Sequence, residues 1–353
     1  MVNLNFNKAS TIDERILAEM HALKNGDAQL LSENSKKQIA GLIGASTSDI
    51  IFTSSVSEAI HLGFNAIFET NSHKGNHIIV SKTEHQDVQS ACEFLQKKGA
   101  KITFLDVDRE GRIDLQNLNE SFTKETILVS VVGANHDTGV LQDLEKIAEI
   151  TRQNGAVFFS DTSQLIGKLP IDVAEIGLDF GCISSHNLFG PPLIGALYIK
   201  NNPSNYEIYN FIKQCLNETD FQHLNINNII GFGKACEIAQ NEFWDNNTHT
   251  SKLRGYLEHQ LLEITDLRIN GSTKYRLYNT SNICFPALKN GDSVSSHINK
   301  KWPISTSSFS SVLNAMGLDE KEINNSIKFS FGHQTKHEDV EQLTHFILSL
   351  YDI

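Results

Sequence analysis

The chain has 353 residues, enough for one large domain and a smaller one around a sizeable core. Its 30 Lys and Arg against 42 Asp and Glu leave a formal charge of −12, so the average surface repels nucleic acid and anionic lipid. Hydrophobic residues at 40% and charged residues at 20% are globular values, and no run approaches the roughly 20 apolar residues of a membrane span.

The segment 1–8 has no apolar signal-peptide core. Five cysteines (Cys92, Cys182, Cys215, Cys236 and Cys284) are odd in number and never spaced as CxxC. That argues against a disulfide framework and against a metal site, and it predicts a reducing, cytoplasmic setting. In chain order, 49–53 reads as a buried strand and 56–69 as a helix. Then come a strand at 76–81, a helix at 88–98 and a strand at 101–107. A helix near 115–122, a strand at 126–132 and a helix at 144–153 follow. Strands at 156–160, 180–184 and 195–200 complete the series. Such alternation predicts right-handed crossovers and a mostly parallel α/β sheet covered on both faces. From 242 the alternation weakens into a helix at 253–264, a strand near 278–285, a Ser/Thr-rich loop at 305–311, a strand at 326–331 and a helix at 338–350. The expected division is a large α/β domain over 13–241, with 1–12 and 242–353 forming a small α+β domain.

Ligands of a parallel sheet sit at the carboxyl ends of its strands. Polar groups cluster at those ends: Ser54–Ser57, Thr83–His85, Asn135–Asp137, Asp161–Gln164 and Ser184–Asn187. Singly, Ser57 is an ordinary helix cap and Asp161 an ordinary turn residue. Together they point to one pocket.

The runs DIIFTSSVSEAI (49–60), HIIVSKTEHQDV (77–88), TILVSVVGANHDTGVLQDL (126–144), FSDTSQLIGKLPIDV (159–173), ISSHNLFGPPLIGALYI (183–199) and IKFSFGHQTKHEDV (327–340) are colinear with the cysteine desulfurases. The chain resembles that branch of the class V aminotransferases over nearly its whole length. The resemblance implies the fold-type I architecture of pyridoxal-phosphate-dependent transferases, a homodimer, and sulfur transfer from L-cysteine toward iron–sulfur clusters. It implies that Asp161 holds the pyridine nitrogen protonated and makes the ring an electron sink. His85 stacks on the ring, and Asn135 and Gln164 bond its substituents. Ser57, Ser184 and His186 hold the phosphate, Ser57 from a helix start where free N–H groups favour an anion.

Against that pattern, Asn187 stands where the family carries the imine-forming lysine, and an amide nitrogen forms no imine. Lys168 is near in sequence but belongs to another strand connection, and is not expected to substitute. The loop at 302–311 has no cysteine to attack the substrate sulfur, and serine cannot hold a persulfide. The segment 220–223 replaces the family's RSGT contact with the partner subunit, and the GNPSS region is missing between His21 and Ser32. Lys328 takes the place of the arginine that grips the substrate carboxylate, losing the bidentate fork. The NNE turn has become Asn135-His136-Asp137.

The expected protein is a catalytically inactive homologue with a binding or regulatory role. It pairs with itself, with an active desulfurase, or with a sulfur-acceptor or scaffold protein. The alternative holds pyridoxal phosphate non-covalently, with partner-assisted chemistry. A third reading, a new reaction using His136, Asp137 or His223, has no positive support in the sequence.

Overall fold

The computed structural model describes residues 4–7, 11–22, 28–216, 224–289, 291–298, 302, 305–306 and 310–353. The segment 220–223, most of the loop at 302–311 and residues 23–27 therefore fall outside the described residues.

Seven strands form the main sheet: β1 Ile50–Thr53, β2 His77–Ser81, β3 Lys101–Leu105, β4 Thr126–Ser130, β5 Val157–Asp161, β6 Phe180–Ser184 and β7 Gly195–Ile199. Their order is β1-β7-β6-β5-β4-β2-β3, and only β7 runs antiparallel to its neighbours. Alternate side chains along each strand enter separate cores. Ile50 and Phe52 of β1, with Ile79 of β2, pack with the helices Ala28–Ile43 and Ile226–Asn241. Ile51, Ile78 and Val80 pack with the helices Val56–Asn71 and Gln86–Lys97 on the other face. Burial of both faces explains why these strands read as continuous apolar runs.

A second sheet runs β10-β11-β9-β8, from β8 Arg268–Ile269, β9 Thr280–Cys284, β10 Ser305–Thr306 and β11 Ser326–Ser330. Its core includes Leu4 from the N-terminus, and Asn5 bridges to Ser330 beside β11. The helix Phe243–Leu261 begins ten residues before the expected one; its Asn- and Thr-rich first half has weak helix propensity and no sequence signal. The helices Glu14–Ala22, Ala28–Ile43, Tyr206–Cys215 and Ile226–Asn241 lie where no element was expected. No helix among the described residues is long and apolar enough to cross a membrane.

Candidate functional site

The carboxyl ends of β2, β4, β5 and β6 converge with β11 of the second sheet. Asp161 ends β5, and its Oδ1 accepts from the Ser163 backbone N–H (2.9 Å) and the Cys182 thiol of β6 (3.3 Å). Behind it lies Glu84, fully buried. Apart from a weak approach to the Val132 backbone, neither of its oxygens has a well-formed hydrogen bond. Burial, with the Asp161 charge adding to it, holds the Glu84 carboxyl well above its ordinary value and favours the protonated acid.

His85 caps the helix Gln86–Lys97, and its ring meets the His136 ring edge-on at 5.1 Å between centroids. Its Nδ1 stands 3.2 Å from Asp87 Oδ2. The Asp87 hydrogen bond raises the His85 pKa against the opposing effect of burial. The Ser57 hydroxyl, in the first turn of the helix Val56–Asn71, also faces Asp87 and helps hold its carboxyl low. One carboxylate thus engages both the expected ring-stacking imidazole and an expected phosphate contact. Sequence reasoning missed Asp87, because an acid in a helix first turn is ordinary in itself.

Asn135 is taken up by its own turn. Its Oδ1 accepts from the backbone N–H groups of Asp137 (2.9 Å) and Thr138 (3.0 Å), and its Nδ2 donates to Thr83 O (3.1 Å). The turn closes at Gly139, whose φ of +75° and contact with Thr280 leave no room for a Cβ. It delivers Asp137 to Lys328 of β11, with Nζ to Oδ1 at 3.1 Å, while Ser310 Oγ donates to Oδ2 at 2.7 Å. Burial pushes the Asp137 carboxyl up, but His136, Lys328 and Ser310 outweigh it and hold it below the usual range. Burial lowers His136. The cation expected to grip a substrate carboxylate is therefore already paired within the chain.

Asn187 follows β6, and its Nδ2 donates to Ser163 O at 3.0 Å. Gln164 is bound to two chain neighbours: Lys168 Nζ donates to its Oε1 at 2.6 Å, and its Nε2 donates to Asn7 O at 3.3 Å. Lys168 does sit on another strand connection, as the sequence suggested, but its side chain lines the same cavity as Asn187. Ser184 ends β6 beside Gly195, and His186 opens the short helical turn after it.

Four cysteines are buried, and burial pushes their thiols up, Cys92 to about 12. Cys182, nearest this cluster, serves as a donor to Asp161. Cys215 is exposed at the end of the helix Tyr206–Cys215. Among the described residues, no His, Cys, Asp and Glu cluster has the makings of a metal site.

A mostly parallel sheet of this strand order, with polar groups collected at its carboxyl edge, is the fold of type I pyridoxal-phosphate transferases. Residues 13–343 match the Aminotransferase class-V family. Cysteine desulfurase IscS of Histophilus somni is 35% identical over 315 residues, covering 87% of this chain and 78% of that protein. The IscS of Rickettsia massiliae is 34% identical over 337 residues, covering 92% and 82%. Among solved structures, a NifS-like protein superposes with a TM-score of 0.87 at 25% identity, covering 99% of both chains. The NifS-like protein of Rickettsia africae gives 0.83 at 27%, covering 100% of both. The chain belongs to the cysteine desulfurase family of class V aminotransferases.

Pyridoxal phosphate is the group this family normally binds. Asp161 and His85 suit its ring: a buried carboxylate with a polar donor set lies below, and an imidazole stands at the strand ends. Its attachment does not fit, because Asn187 offers an amide bonded to Ser163 O. A phosphate held at Ser57 would face the Asp87 carboxylate, which does not favour an anion there.

Proposed function

We propose that this cysteine desulfurase-like protein is catalytically inactive and acts by binding, in a regulatory role linked to sulfur and iron–sulfur metabolism. The observation that carries the reading is Asn187. Its amide nitrogen, with the lone pair delocalised into the carbonyl, donates to Ser163 O where an imine-forming amine is required. The Lys328–Asp137 pair supports it, since a substrate carboxylate would have to displace an internal one. The raised thiols of the buried Cys92, Cys182, Cys236 and Cys284 support it too, because the thiolate is the nucleophile. In this reading the protein is cytoplasmic and forms a homodimer, or pairs with an active desulfurase or a sulfur-acceptor scaffold. Residues 13–241 form the large domain, and 1–12 with 242–353 the small one.

A second reading rests on Asp161 and His85: the pocket holds pyridoxal phosphate non-covalently, with Ser57, Ser184 and His186 toward the phosphate and Gln164 and Asn135 near the ring. The bound cofactor would supply an electron sink; this chain's residues would only hold and orient it. Sulfide release from L-cysteine, with added pyridoxal phosphate and reductant, tests the leading proposal. No release above a no-protein control is expected, and turnover by the unmodified chain would overturn it.

A further inference from the structure

Beneath Asn187, between the main sheet and the helix Phe243–Leu261, lies a cavity of about 60 Å³. At roughly 10–15 Å³ per water on this measure, it has room for about four to six waters. That suits a ligand of a few heavy atoms, far smaller than a phosphorylated pyridine. Leu188, Ile238 and Phe331 form its apolar wall, and Asn187, Asn246, Asn247 and Thr250 its neutral polar one.

Two features at the cavity lack an internal explanation. Asn247 is 8% exposed, and its Nδ2 has no hydrogen-bond partner. A buried donor left unmet costs about 1–3 kcal/mol, so it marks a place for an acceptor. Lys168 Nζ donates to Asn7 Oδ1 (3.1 Å) and Gln164 Oε1 (2.6 Å), and no carboxylate among the described residues pairs with it. A neutral amine has two N–H bonds. Both are used here, which leaves the lone pair as its remaining face.

We propose that this cavity binds a short neutral hydroxyaldehyde, held as a reversible imine on Lys168 with its hydroxyl accepting from Asn247. Nζ adds to the carbonyl carbon, the carbinolamine loses water that carries away the carbonyl oxygen and both amine hydrogens, and C=N replaces C=O, so the hydrogen bonds to Asn7 and Gln164 are given up; nothing is oxidised or reduced. Burial, with the Lys328 charge assisting, lowers the amine from 10.5 to about 7, so a large fraction is unprotonated at neutral pH. The other titratable groups at the cavity are Asp13, Glu242 and His333, whose charged form burial disfavours. Arg15 pairs with both acids, leaving a net negative end that disfavours a ligand carboxylate and favours a neutral one. The proposal does not require the cofactor pocket to be inactive, although the two regions meet at Asn187 and at Gln164, which accepts from Lys168.

The test treats the full-length protein at pH 7 with glycolaldehyde and cyanoborohydride, then maps labelled lysines by mass spectrometry. Lys168 should label at least about tenfold faster than exposed lysines, and its labelling should saturate with glycolaldehyde. Asn247→Leu should raise the half-saturating concentration several-fold. Labelling of Lys168 no faster than the exposed lysines would overturn the proposal. So would labelling that fails to saturate or is unmoved by Asn247→Leu. Equal trapping of pyridoxal phosphate on Lys168 would place the amine in the cofactor pocket and refute the small-ligand assignment.

Discussion

The pair between Lys328 and Asp137 makes a quantitative prediction. Their side chains are 6% and 16% exposed, and Nζ stands 3.1 Å from Oδ1. At an effective dielectric near 20, two unit charges about 4 Å apart attract by roughly 4 kcal/mol, comparable with the cost of desolvating them. The net value of the pair is therefore small, but breaking it is expensive. Asp137→Asn keeps the shape and can still accept from Ser310, yet strands a buried ammonium whose other partner is His136 O at 3.3 Å. The expected loss is about 3–5 kcal/mol. Lys328→Met should lose a comparable amount, and the double variant should lose less than either single, giving a coupling of at least about 3 kcal/mol. Urea denaturation followed by circular dichroism at pH 7, comparing midpoints at constant slope, measures all four corners of the cycle. Single losses below about 1 kcal/mol that simply add would refute the reasoning and leave Lys328 available to an incoming carboxylate.

Three further outcomes are expected. Asn187→Lys should give an absorbance-detectable imine with pyridoxal phosphate, only in part because Asp87 remains at Ser57, and still release no sulfide from cysteine; sulfide release would show that the segment at 302–311 had been misjudged. Asp87→Asn should tighten pyridoxal phosphate binding several-fold in a dialysis titration, since it removes a like charge beside Ser57; unchanged affinity would mean the phosphate lies elsewhere. Glu84→Gln should gain on the parent as pH rises. The folded-state pKa of Glu84 is raised, so the folded chain binds the extra proton and the parent loses about 1.4 kcal/mol per pH unit above 4.5 until that raised value is passed. A difference flat from pH 5 to 8 would show Glu84 ionised.

Most of the main strands were legible because they are buried on both faces and bounded by polar turn residues, as Ile50–Thr53 and Thr126–Ser130 show, while the edge strand Lys101–Leu105 is partly exposed. The helix Ala28–Ile43 was not, since its buried positions include Ser32, Ser35 and Lys36, which blur the apolar stripe. At the site, the strand ends named the right neighbourhood but not who bonds whom. Asp137 meeting Lys328 spans 191 residues of sequence, and Lys168 meeting Asn7 spans 161. Such pairings depend on how the second sheet and the N-terminus dock, which no local pattern records. Lys168 was set aside because its strand connection differs from that of Asn187. The connections do differ, but a lysine side chain is long enough to bring the amine to the same cavity.

The central claim is that Asn187 leaves this pocket unable to hold its cofactor covalently. The most direct test loads the purified chain with pyridoxal phosphate, reduces with borohydride and measures pyridoxyl groups retained after denaturation. The account predicts none above the level seen with a protein lacking the fold. A stoichiometric pyridoxyl adduct on any lysine of the unmodified chain would contradict it.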